Sequence, residues 1–249
     1  MTRWLIDTLT LLLGRLRRHR RVGATPDPVD RLVKVNLGCG LAVAPGWTNV
    51  DASLNAVLAN LPKALLPVAY RLSGSNRYYT CEQYVALLSG NRFIHHDLAH
   101  SLPFADNTVD VVYSSHFVEH LFRDEAMQLM RESLRILKPG GLVRVCVPDL
   151  AHAVERYRQG HAREMLEQYF FVEDRSSFLA RHKYMYDFAL LRDTLAAAGF
   201  AQIGRCAYRA GHAPDIALLD NRPDETLFVE AHKPVSASPA PSPAAARNH

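Results

Sequence analysis

Short runs rich in β-branched residues alternate with segments of helical periodicity along this chain. No other feature restricts the fold as much. Residues 32–37 (LVKVNL), the TNV before Asp51, residues 93–96 (FIHH), 109–114 (VDVVYS) and 142–147 (LVRVCV) read as strands. Between the last two, Phe122, Ala126, Leu129, Met130, Leu134 and Leu137 recur at helical spacing, with Asp124 as candidate N-cap. Lys138-Pro139-Gly140-Gly141 is expected to stop that helix, because proline cannot continue the ladder and glycine accepts a left-handed cap. A further helix over 188–198 closes on Gly199, and residues 201–208 and 226–231 supply two more strands. This succession predicts an α/β fold: a doubly wound, mostly parallel seven-stranded sheet, Rossmann-like, with helices on both faces. Ligands of such sheets bind outside the carboxyl ends of the strands.

With 249 residues, 48% of them hydrophobic, the chain suits one sizeable domain rather than two. The expected organisation is an amphipathic, basic segment at 1–29, the α/β domain at 30–233, and a disordered Pro/Ala/Ser tail at 234–249. Residues 53–91, long and proline-containing, read as an inserted cover over the site. The formal charge of +4 is exceeded by Arg15, Arg17, Arg18, Arg20 and Arg21 alone, so the body is near neutral. That argues against a nucleic-acid partner, which would need a basic patch within the fold. Leu5, Leu9, Leu12, Leu13 and Leu16 share one helical face before the arginines. Residues 1–21 therefore suit either peripheral contact with an anionic membrane or packing on the domain. Asp7 interrupts the apolar run and no small-residue cleavage site follows, unlike a secretory signal. Four widely spaced cysteines then fit a reduced, cytoplasmic chain.

The segment VNLGCG (35–40) places Gly38-Cys39-Gly40 at the end of the first strand, where glycine lets the backbone turn and approach a ligand closely. Asp51 ends the next strand, beside that turn, where its carboxylate can accept both hydroxyls of a ribose. A dinucleotide site would need a full helix behind the loop to meet the pyrophosphate. Pro45-Gly46 leaves room for about one helical turn, so the loop favours an adenosine-type ligand without a pyrophosphate.

These stretches, with NVDAS, HHDLAHSLPFADNTVDVVYSSHFVEHL and LRILKPGGLVRVCVPDL, resemble the class I S-adenosylmethionine-dependent methyltransferases. The likeness is to the type 11-like group, often associated with surface-polysaccharide biosynthesis. It covers about 33–150, with weaker continuations at HKYMYD (182–187) and LFVEAHKP (227–234). The resemblance implies S-adenosyl-L-methionine as cofactor, with Gly38, Cys39 and Gly40 lining its methionyl end and Asp51 binding the ribose. Asp97 and Leu98 would hold the adenine, and Ser114, Ser115 and His116 would lie near the methyl group. Asn36 stands where many members carry an acid, so a contact to the cofactor's ammonium would lose its charge.

The implied reaction is methyl transfer to a small-molecule, sugar or glycan acceptor. For a hydroxyl acceptor a base must take the proton, and His116 is the first candidate, ahead of His182 and Asp149. Tyr184 and Tyr186 read as aromatic core rather than an acceptor wall. No Asn/Asp-Pro-Pro-Tyr/Phe segment follows the fourth strand, which argues against methylation of DNA bases.

Two rival readings remain. One is a non-catalytic or membrane-peripheral scaffold on the same fold. The other is a zinc hydrolase built on His116, Glu119 and His120, whose His-x-x-Glu-His spacing matches a peptidase motif. The hydrolase needs a continuous helix and a third ligand, and no downstream residue stands out as one, so no metal set is assigned from sequence. Some small-RNA and ubiquinone-pathway O-methyltransferases carry a similar Glu-x-x-Glu-His that binds a divalent ion. Metal assistance through Glu119 and His120 is therefore an open alternative.

Overall fold

A computed structural model describes residues 2–17, 19–170 and 180–235. Arg18 and all but the first two residues of the expected tail lie outside them. Seven strands form one sheet: β1 (Lys34–Leu37), β2 (Trp47–Asp51), β3 (Arg92–His95), β4 (Val109–Ser115), β5 (Leu137–Pro148), β6 (Ala201–Cys206) and β7 (Thr226–His232). Their order is β3-β2-β1-β4-β5-β7-β6. The first five run parallel, and β7 lies antiparallel between β5 and β6. Chain order reverses between β1 and β4, and a crevice opens beyond their carboxyl ends at such a switch point.

Helices cover both faces. They are α1 (Thr2–Leu16), α2 (Leu54–Leu58), α3 (Leu66–Ser73), α4 (Cys81–Gly90), α5 (Arg123–Ile136), α6 (Leu150–Arg158), α7 (Ala162–Tyr169), α8 (Phe188–Ala198) and α9 (Ile216–Leu219). Of the predicted stripe Phe122, at the cap, is exposed, Leu134 is half-buried and Leu137 belongs to β5, while α5 buries Ala126, Leu129 and Met130 as their spacing predicts, with Ile136 beside them. These pack with Val35, Leu37, Val112 and Val145 of the sheet and with Leu191 and Leu195 of α8. Each large apolar side chain so buried contributes roughly 1.5–3 kcal/mol. The predicted insert, 53–91, is the β2-to-β3 crossover, and α2, α3 and α4 enclose a second apolar cluster around Tyr84 and Leu88.

Two local expectations are corrected. Asp124 does not cap α5; Phe122 occupies the cap, and Glu125 Oε2 accepts its N–H at 2.8 Å, leaving Asp124 in the first turn. Lys138-Pro139-Gly140-Gly141 does not form a left-handed cap. The helix ends at Ile136 and β5 begins at once at Leu137, with Gly140 at φ 79° and a register shift against β4. The helix is stopped as its residues predict, but pairing with β4 draws those residues into the sheet.

The N-terminal segment packs on the domain. Arg21 donates to the Phe104 carbonyl and Val22 N–H to the Pro103 carbonyl, while buried Lys34 binds Asp27 and Asp30 at 2.7 Å each.

Candidate active site

A cavity of about 1030 Å³ lies beyond the carboxyl ends of β1, β2 and β3. Gly40, Asp51, Asp97 and Leu98 line it, as do Phe117, His120 and His182. Asp51 Oδ2 accepts the Gly40 N–H at 2.7 Å and Oδ1 the Ser53 N–H at 2.6 Å. The carboxylate thus ties the glycine turn to the end of β2. A carboxylate offers about four acceptor positions, so two remain for a ligand. Asp97 Oδ1 accepts the Ala99 N–H at 3.1 Å, and its Oδ2 lies 3.6 Å from His100 Nε2 and 4.0 Å from Arg15 Nε.

Helix α1 roofs the cavity through Ile6, Asp7, Leu11 and Arg15. Sequence reasoning assigned none of them to the site. The signal was Gly14, where a Cβ would stand 3.0 Å from Asp97 Cβ, so only glycine lets the helix settle there without displacement. Leu5, Leu9, Leu12 and Leu16 remain exposed on the helix.

Several predicted residues do not reach the cavity. The Gly38 N–H donates to the Val50 carbonyl, and the Phe117 ring occupies the space a Cβ at Gly38 would need. Cys39 is buried against the crossover helices, and burial raises its thiol well above the ordinary range. Asn36, 1% exposed, donates to the Ala42 carbonyl and to Asn49 Oδ1, holding the glycine loop from below. Ser114 and Ser115 end β4 and do not line the cavity. Asp149 caps α6 and binds Arg205 at 2.7 Å. Tyr184 and Tyr186 meet edge to face at 5.0 Å and pack with the main core, as expected.

The SSHFVEHL stretch is a turn, not a helix: only Val118–His120 is helical, as a single 3₁₀ turn. His116 adopts φ 49° and points Nε2 at Thr226 Oγ1, 2.9 Å away, so it does not line the cavity. Its Nδ1 stands 3.5 Å from Glu119 Oε1. Burial alone would raise the Glu119 carboxyl, but His116 and His120 outweigh it and hold it below the usual range. Burial keeps His120 below the ordinary histidine value despite Glu119 beside it. The Glu119 carbonyl accepts N–H groups from Lys183 (2.7 Å) and Tyr184 (3.2 Å). Those bonds bring His182 against His120, ring centroids 4.9 Å apart. Glu119, His120 and His182 form a group that sequence spacing alone does not reveal, because its third member lies in a remote loop.

Residues 35–145 match the family model described as a methyltransferase domain, Methyltransf_11. An uncharacterized methyltransferase of Mycobacterium tuberculosis is 54% identical over 43 residues, 17% of this chain and 16% of that protein. One of Mycobacterium leprae is 51% identical over 43 residues, 17% of this chain and 15% of its own length. The chain therefore spans only about one sixth of the curated relatives it matches. Among solved structures, a SAM-dependent methyltransferase of Thermotoga maritima aligns at TM-score 0.45 and 14% identity, covering 93% of each chain. One from Archaeoglobus fulgidus aligns at 0.44 and 14%, covering 93% of this chain and 94% of its own. Likenesses this distant carry no weight for activity. The sequence match falls on the sheet that the strand pattern predicts: residues 35–145, from β1 to β5, match a methyltransferase domain.

Proposed function

We propose that the protein transfers the methyl group of S-adenosylmethionine to a hydroxyl of a small-molecule, sugar or glycan acceptor. The observation that carries this reading is one cavity lined by two chemically different sets of residues. Gly40, Asp51, Asp97 and Leu98 offer acceptors and apolar surface suited to a nucleoside, while Phe117, His120 and His182 offer a wall suited to an acceptor. Gly40 faces open space, so a ligand can approach its backbone. The volume is at the upper end of the roughly 300–1,000 Å³ usual for ligand sites, which accommodates a cofactor and a small acceptor together.

The cofactor supplies an activated methyl group on a sulfonium. The residues of this chain bind, align and exclude water. Asp51 engages the ribose hydroxyls with its free acceptor positions, Asp97 and Leu98 hold the base, and α1 closes the roof. The acceptor's proton leaves on the histidine side. His116, bonded to Thr226 and facing Glu119, acts through Glu119 in this reading rather than on the acceptor.

Calorimetry with S-adenosylmethionine tests the proposal. Wild type is expected to bind with 1:1 stoichiometry, and Asp51→Ala to bind at least about tenfold more weakly, a loss near 1.4 kcal/mol. A folded wild type that binds no cofactor overturns the reading in favour of a non-catalytic scaffold.

A peripheral contact with anionic membrane in the cytoplasm is part of the same proposal. Its support is the exposed row of Leu5, Leu9, Leu12 and Leu16 beside Arg15, Arg20 and Arg21. Among the described residues, no helix is long and apolar enough to cross a membrane.

A further inference from the structure

Glu119 is wholly buried, and neither carboxylate oxygen has a hydrogen-bond partner among the described residues. The nearest ring nitrogens, His116 Nδ1 at 3.5 Å and His120 Nε2 at 3.9 Å, are too far for a well-formed hydrogen bond, so the buried charge is poorly compensated. Besides His116, two further imidazoles gather at it, and the protons of these two are already spent. His120 Nδ1 lies 3.2 Å from the Arg181 carbonyl, and His182 Nδ1 lies 2.5 Å from the Tyr169 carbonyl. A carbonyl only accepts, so in each ring the proton of the neutral form sits on Nδ1 and Nε2 presents a lone pair. One ligand atom from each of Glu119, His120 and His182 falls within 4.8 Å of the others. Three electron-pair donors thus converge, while His116 Nδ1, 3.5 Å from Glu119 Oε1, stands outside the group.

We propose that Glu119, His120 and His182 bind a divalent first-row transition cation such as zinc or cobalt. Two imidazoles and one carboxylate suit those ions, whereas magnesium and calcium favour all-oxygen sites. The carbonyls of Arg181 and Tyr169 play the outer-shell part, fixing each ring's tautomer and aim. A tetrahedral ion with bonds near 2.0–2.1 Å needs ligand atoms roughly 3.4 Å apart. Small rotations of the two partly exposed histidine rings close that gap. The backbone bonds from Lys183 and Tyr184 to Glu119 already hold both segments together.

Glu119 lies behind the wall, while His120 and His182 line the cavity, so the remaining coordination position faces it. There the ion would take an acceptor hydroxyl and lower its pKa, so that the proton passes to water at the cavity mouth; the alkoxide oxygen then bonds to the methyl carbon as the bond to the sulfonium sulfur breaks, and S-adenosylhomocysteine leaves. This role rests on the methyl-transfer reading; the cation site itself does not.

The test uses the untagged full-length chain, treated with chelator and dialysed, then titrated with cobalt(II), zinc and magnesium. One equivalent of cobalt should bind with the visible absorption of a four- or five-coordinate ion, zinc should displace it, and magnesium should not. Glu119→Gln and His182→Ala should each weaken cobalt binding by more than about 100-fold. His161→Gln, outside the cluster, should leave it unchanged. If Glu119→Gln does not fold, His182→Ala at the cavity wall carries the test. A folded wild type that takes up no cobalt at submillimolar concentration, or variants that bind as wild type does, would overturn the site. S-adenosylmethionine calorimetry on the same samples separates the two readings. Cobalt binding without cofactor binding removes methyl transfer and keeps the site; the reverse removes the site alone.

Discussion

Gly38 is the residue on which two demands meet. Its φ of 66° lies in the left-handed region, and the Phe117 ring fills the space a Cβ would need. The left-handed conformation costs a non-glycine residue roughly 1–2 kcal/mol, and overpacking adds about 1–3. Gly38→Ala should therefore lower stability by about 2–5 kcal/mol in chemical denaturation. Gly38→Ala with Phe117→Ala should recover the steric part, unless Phe117→Ala opens a cavity of equal cost. Glu230 shows a different balance. Burial alone would raise its carboxyl, but the N–H groups of His212 and Ala213 and the Arg144 charge outweigh that and lower it below 4.5. Its stabilising effect is present in full above that unfolded value and is lost as pH falls through the lower folded one. Glu230→Gln should thus be less stable at neutral pH by about 1–3 kcal/mol and show a shallower acid-unfolding limb by circular dichroism.

Helix α1 has two faces with separate tasks. The inner face, with Gly14 against Asp97, sets the roof of the cavity. Gly14→Leu should displace that roof and weaken S-adenosylmethionine binding about tenfold in calorimetry, with the rest of the domain intact. The outer leucines belong to the proposed membrane contact. In cosedimentation with vesicles, Leu9→Glu should abolish binding to anionic lipid while wild type binds, and neutral vesicles should retain neither. At the element scale, strand runs and the α5 stripe were legible because local periodicity and burial agree. The Lys138–Gly141 stretch was not, since its residues stop a helix equally well before a turn or a strand, and pairing with β4 chose the strand.

Across the whole molecule, Arg144 joins the antiparallel edge to the parallel core. From β5 it binds Asp220 at 2.6 Å and Glu230 of β7 at 2.9 Å, with no exposed surface of its own. Its guanidinium also donates to the Ala207 and Ala210 carbonyls. Arg144→Met would strand two buried carboxylates and should destabilise the fold by about 3–5 kcal/mol in urea denaturation. The amino-acid sequence by itself determined the alternating α/β pattern and the glycine turn with Asp51, because backbone preference and burial periodicity act over a few residues. Tertiary structure alone decided which histidines share a site. Asp51 and Gly40 sit at the ends of paired neighbouring strands, so sheet register brings them together. His120 and His182 meet because the Glu119 carbonyl captures two N–H groups of a remote loop, and no local periodicity encodes a contact of that kind. His116, bonded to Thr226, stays outside the cavity, and His182 is the partner of Glu119 and His120.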